Sequence, residues 1–97
     1  MPAYWIAHVK ITDPERYKGY TALAPRAFAK YGARFLARGG VSETFEGTAF
    51  ERQVVIEFPD LEAARTCYSS PEYQAAKAER DGACIAHVSI VAGLESD

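Results

Sequence analysis

Apolar and polar side chains alternate from Tyr4 to Ile11, with Trp5, Ala7, Val9 and Ile11 on one side and Tyr4, Ile6, His8 and Lys10 on the other. A period of two is that of a half-buried strand. The period then changes. Thr12, Asp13, Pro14 and Glu15 supply a capping oxygen, a proline for the first turn and a glutamate three places after the threonine, which together start a helix. Tyr17, Tyr20, Ala24, Ala27, Phe28 and Tyr31 recur at spacings of three and four and form one apolar stripe, ended by Gly32. Pro25 removes a backbone donor inside that stripe and crowds the preceding turn, so a kink or a break into two helical pieces is expected near Leu23 and Ala24.

Alternation returns from Arg34 to Arg38, with Phe35 and Ala37 opposite Arg34, Leu36 and Arg38, and Gly39 and Gly40 interrupt it in the manner of a bulge. Val41 to Glu46 is expected to continue this second strand, Gly47 and Thr48 to turn the chain, and Arg52 to Phe58 to form the third strand. Pro59 and Asp60 end it and cap a second helix carrying Leu61, Ala64 and Tyr68 on one face. Ser70, Pro71 and Glu72 restart a helix that runs to about Arg80, so the pair turns a corner near Ser69 and stops at Gly82. Ala83 to Val91 is the last strand, and the polar tail from Gly93 to Asp97 is expected to fray.

This order, β-α-β-β-α-β over residues 1–97, predicts a single α+β domain of the ferredoxin-like, split βαβ kind. Two helices would cover one face of a four-stranded antiparallel sheet with strands in the order four, one, three, two. The more apolar faces are assigned to the helices: Trp5, Ala7, Val9 and Ile11; Phe35 and Ala37; Val54, Ile56 and Phe58; Cys84, Ala86, Val88 and Ile90. Ile6, Leu36, Val55, Ile85 and Val91 then lie on an open face among polar neighbours. An apolar patch of that size marks an interaction surface. Two such sheets packed face to face would bury it, so a symmetric homodimer is expected.

Composition narrows the partners. With 48% apolar and 25% charged residues the chain has the make-up of a folded domain, not of a disordered one. Its net charge of −2 and the lack of any Lys or Arg block argue against nucleic acid and anionic membranes. No apolar run is long enough to span a bilayer, the start carries no secretory pattern, and a cytoplasmic protein with a small ligand fits best. Cys67 and Cys84 have neither a CxxC spacing nor histidines at zinc intervals, so they read as reduced, mostly buried thiols.

The candidate chemistry sits on the open face, which collects His8, His87, Glu57, Arg38, Tyr4, Lys10 and Ser89. A carboxylate beside an imidazole raises its pKa and orients the ring, as a general base requires. His8 is the candidate base, Glu57 its orienter, Arg38 or a tyrosine, Tyr17 or Tyr20, would hold an anionic or carbonyl oxygen of a ligand, and His87 is a further candidate ligand-binding residue. The opposing reading is a hydrogen-bonded polar layer that fixes the register of two sheets in a structural or sensor homodimer, without turnover. A metal site is not expected, since ligands from separate strands carry no spacing signature. Tyr17, Tyr20, Tyr68 and Tyr73 approach one end of the sheet as core aromatics with their hydroxyls at the edge. Arg52, Arg65 and Arg80 are expected to pair with Glu51, Glu62, Asp60 or Glu79 on the surface. Phosphate loops, GxSxG and HExxH are absent from the sequence.

Five stretches together carry a resemblance: the Met-Pro-Ala-Tyr start, Thr-Asp-Pro-Glu-x-Tyr-x-x-Tyr from Thr12 to Tyr20, Tyr-Gly-x-Arg-Phe-Leu-x-Arg-Gly-Gly from Tyr31 to Gly40, Arg-x-Val-x-Ile-Glu-Phe-Pro-Asp from Arg52 to Asp60, and Tyr-x-Ser-Pro-Glu-Tyr-Gln from Tyr68 to Gln74. Spread over nearly the whole chain, they resemble the domain-of-unknown-function 1330 family. The resemblance implies a dimeric α+β barrel, and no established reaction. The wider superfamily includes cofactor-free monooxygenases, muconolactone-type isomerases and haem-binding members that use the cavity between sheet and helices. By that resemblance the pocket would be walled by His8, Glu57, Arg38 and His87 from the sheet and Tyr17 or Tyr20 from the helix. Haem on His8 or His87 would need a roomy apolar pocket, which the charge around them disfavours, so no cofactor is expected.

Overall fold

The computed structural model describes residues 1–94. Strand β1 (Ala3–Ile11) leads into helix α1 (Pro14–Lys30), strands β2 (Arg34–Arg38) and β3 (Arg52–Phe58), helices α2 (Leu61–Ser69) and α3 (Pro71–Glu79), and strand β4 (Cys84–Ala92). The sheet is antiparallel throughout, in the order β2-β3-β1-β4. This is the expected βαββαβ arrangement, with the second helix divided at its corner.

The helix ends follow local chemistry. Asp13 caps α1 through the Arg16 N–H, Asp60 caps α2 through the Ala63 N–H at 2.7 Å, and each carboxylate meets a donor that the helix itself leaves unpaired. Ser70 ends α2 and begins α3. Its hydroxyl donates to the Cys67 carbonyl at 2.6 Å and accepts the Tyr73 N–H at 3.1 Å.

Helix α1 corrects one expectation. It runs unbroken through Pro25, although the proline has no N–H to give the Thr21 carbonyl. Buried Tyr17, Ala24, Ala27 and Phe28 pin it on both sides of the gap, and such packing outweighs one missing hydrogen bond.

The core lies between the helices and one sheet face. Trp5 is its centre, edge-on to Phe28 and Tyr73 with centroids 5.1 and 4.9 Å away and stacked on Phe58 at 5.9 Å. Such pairs contribute about 0.5–1.5 kcal/mol each beyond their buried area.

The connection from β2 to β3 differs from the sequence reading. Residues 39–51 form no strand, so the continuation expected over Val41 to Glu46 is absent. It would need partners just before Arg52, and those are engaged elsewhere. The Phe50 ring packs beside His8 and His87, at 6.2 and 5.0 Å between centroids, and the Glu51 carboxylate accepts the Ile11 N–H at 2.9 Å. The bulge, too, is displaced: it lies between Phe35 and Ala37 and not at Gly39 and Gly40. At the other end, Gly93 is tied down, its N–H donating to the Pro2 carbonyl at 2.7 Å, and the rest of the tail expected to fray lies outside the described residues from 95 on.

Candidate functional site

Small side chains leave a gap where the sheet faces α1. Ala7 stands on central strand β1, Ala86 on its edge neighbour β4 and Ala24 on the helix above, and none reaches far enough to close the space between layers. The result is a cavity of about 80 Å³. Its floor and walls are apolar: Trp5, Ala7, Val9, Val54, Ile56, Val88 and Phe28 among them. Its polar groups are Tyr17, Tyr20, Thr21, Arg38, Arg52 and Arg80. No Asp, Glu or His lines it.

The bulge decides the facing of Arg38. Phe35 pairs with Ile56, Leu36 is left over, Ala37 pairs with Val55 and Arg38 with Val54. Because Val54 faces the helices, Arg38 does as well, and Ala37 turns to the open face. Both reverse the expected assignment. The Arg38 guanidinium lies 3.5 Å from the Phe35 ring centroid, at the mouth of the cavity. A cation over a ring contributes about 0.5–1 kcal/mol at an exposed site.

Tyr17 and Tyr20 lie one helical turn apart with ring centroids 5.4 Å from each other. The Tyr20 hydroxyl is 3.0 Å from that of fully buried Tyr73, and Tyr73 in turn packs on Tyr68 at 5.4 Å. The four phenols thus run in one line, as their spacing suggested. Burial raises the pKa of Tyr17, against a smaller pull downward from Arg52. Burial and the neighbouring Tyr73 raise that of Tyr20. Both phenols therefore stay protonated near neutrality and can donate hydrogen bonds.

The histidines are elsewhere. His8 pairs in register with His87 on one side and Gln53 on the other, and its Nδ1 is hydrogen-bonded to the Gln53 side chain. The expected contact between His8 and Glu57 is not made. Glu57 stands opposite Tyr4, four residues along β1, and its carboxylate accepts from Arg34 at 2.8 Å. Four residues of strand are roughly 13 Å. Since His8, His87 and Glu57 face away from the helices, the sheet itself separates them from Arg38, Tyr17 and Tyr20. The single pocket wall assembled from all six is two sites on opposite faces.

Sequence reasoning missed Arg52 and Arg80. The expected pairing with surface carboxylates is not made: the ion pairs among the described residues are Lys18–Glu15, Lys30–Glu72 and Arg34–Glu57. The signal for Arg52 was parity: it shares the alternation of Val54, Ile56 and Phe58, and so belongs to the helix-facing side. Arg80 gives no such signal, because it lies just past α3, where the chain leaves periodic structure. The cysteines are free, as expected, with Cys67 buried and Cys84 half-buried. No cluster of three or more metal-ligating side chains occurs among the described residues.

A family model described as a domain of unknown function, DUF1330, matches residues 2–94. No curated protein matches the chain. Solved structures share its fold, three of them as follows. A protein of unknown function from Rhodopseudomonas palustris, RPA0582, is 16% identical with a TM-score of 0.79, over 98% of this chain and 84% of that one. SnoaB, a cofactor-independent oxygenase from Streptomyces nogalater, is 12% identical with a TM-score of 0.66, over 98% and 95%. A dimeric protein of unknown function and ferredoxin-like fold from Bacteroides fragilis is 14% identical with a TM-score of 0.65, over 95% and 96%.

Proposed function

The chain belongs to the DUF1330 family, and from that premise we propose that it is a cytoplasmic, single-domain homodimer that holds a small organic molecule in the cavity between helices and sheet. The observation that carries this reading is the cavity itself, its lining mostly apolar with a few hydrogen-bond donors among it. Small-molecule sites have that composition, with a few placed polar groups on an apolar surface. Lacking a side-chain base, the cavity supports stabilisation of negative charge on a bound oxygen by Tyr17, Tyr20 and the arginines. His8 and Glu57, on the other face, take no part in that step.

The dimer would form through the open face, where Leu36, Ile85 and Val91 are each about half exposed. The dimeric Bacteroides protein of the same fold supports a dimer as such. Among the described residues no helix is long and apolar enough to cross a membrane, which is consistent with the location proposed. A second reading, a structural or sensor dimer without a ligand, is favoured by the layer of His8, Gln53, His87 and Phe50 on that face.

Native mass spectrometry of protein purified without denaturation separates the two. Retention of an organic mass on the dimer, lost when Ala86→Phe fills the cavity, supports binding. A ligand-free dimer that also shows no uptake from a small-molecule mixture leaves the structural reading.

A further inference from the structure

Three guanidinium groups line one small cavity, and none meets a carboxylate among the described residues. Arg38 stands at the mouth, Arg52 on β3 and Arg80 after α3, while the ion pairs of the described residues involve other side chains. Arg52 is the most constrained. Its Nε is buried and has no hydrogen-bond partner among the described residues. Its Nη1 lies against Gly39, so close that a Cβ there would sit 2.5 Å away. Gly39 also adopts φ +67, so this approach is built into the backbone. With Nη1 packed, the edge left without a partner is the one formed by Nε and Nη2, and once a small shift of the side chain uncovers Nε it matches a carboxylate in the two-point manner. Tyr17 stands beside it, its ring centroid 5.9 Å from the guanidinium carbon. Arg80, also in the cavity lining, lies 5.1 Å from the Tyr20 ring and donates to the Cys84 sulfur at 3.8 Å, again with no carboxylate partner among the described residues.

Buried charge is normally paired, and an unpaired buried donor on an arginine is rare and costly. Resting on the reading of the cavity as a binding site, we infer that its ligand is an organic monoanion, a short carboxylic acid held in a fork by Arg52 with its hydrocarbon tail over Ala7, Val54 and Val88. Arg38 and Arg80 add positive potential without a second fork. Size sets the tail. An apolar cavity of roughly 150 Å³ takes benzene, so about 80 Å³ accepts a tail of about three or four carbons with the carboxylate at the rim.

The chain carries its own reporter, because its one tryptophan, Trp5, lines the cavity. Trp5 fluorescence and calorimetry are followed at neutral pH and low salt while acetate, propionate, butyrate and valerate are titrated, each against its neutral amide. Inorganic phosphate serves as a tail-less anion. The expected result is saturable binding that peaks at propionate or butyrate and is at least tenfold weaker for the amide. Arg52→Gln should erase the acid's advantage and Arg52→Lys restore part of it, with circular dichroism confirming that each variant folds. Acid and amide binding alike would overturn the anion and leave the cavity reading intact. Phosphate binding as well as butyrate would overturn the organic ligand. Silence across the whole series would overturn this inference, while an unrelated mass retained in the native spectrum would keep the cavity reading.

Discussion

Cys67 shows how one buried group ties stability to pH. The thiol is fully buried, donates weakly to the Ala27 carbonyl at 3.8 Å, and is pushed by burial from its ordinary 9.0 up to about 11. As pH rises past 9, the unfolded chain releases this proton first, so it binds fewer protons than the native one and stability falls. The contribution is complete below pH 9 and lost as pH approaches 11, at most about 3 kcal/mol for two units. Tyr17 and Tyr20, also raised by burial, act with the same sign above pH 10. Between pH 9 and 10 the thiol therefore acts first. Cys67→Ala lowers stability overall by leaving a small void, but its melting temperature should decline less steeply across that interval than the wild type's. Equal slopes would remove the thiol from the account.

Helix junctions depend on single side chains in the same way. Ser70 serves two helices at once, accepting from the start of α3 and donating to the end of α2, and it is buried. Ser70→Ala should cost about 1–2 kcal/mol, at the upper end for a cap, because it also leaves the Cys67 carbonyl without that donor. Asp60→Ala, at an exposed cap, should cost about 0.5–1 kcal/mol. Urea unfolding midpoints compare them, and an equal loss would mean that the second bond of Ser70 contributes nothing. These caps were legible in the sequence because capping chemistry is local: Asp13, Asp60 and Ser70 lie within three residues of the donors they satisfy. The bulge at Leu36 was not, since a bulge exists only relative to the partner strand. Nor was the irregular course of residues 39–51, which depends on where Phe50 and Glu51 find partners across the sheet.

At the scale of the molecule, the chain is a slab of 43 × 35 × 17 Å. Two layers are all that the thin axis holds, one of helices and one of sheet. The uncovered sheet face was read from alternation alone, and it carries Leu36, Ile85 and Val91 in the open. If two copies meet there, Ile85→Asp should give monomers by sedimentation equilibrium without lowering monomer stability by more than about 0.5 kcal/mol, since the side chain is exposed in one copy. A persisting dimer would place the interface on another surface. The candidate site was half legible. Alternation sorted His8 and His87 correctly to one side, and helical spacing brought Tyr17 and Tyr20 together. The register that keeps Glu57 from His8 depends on the pairing of His8 with Gln53, 45 positions further along the chain, and no pattern within one strand specifies it.

A strand that absorbs an extra residue separates a side chain's place in the sequence from the side of the sheet it serves. Without Leu36, β2 would pair straight through, with Ala37 still beside Val55 and Arg38 still beside Val54. Loss of one residue from a strand normally turns every later side chain over. Here it would restore regular geometry and leave the arginine in place. Relatives one residue shorter at this point would therefore carry the same charge on the same side, where strict alternation places it correctly in them and wrongly in this chain.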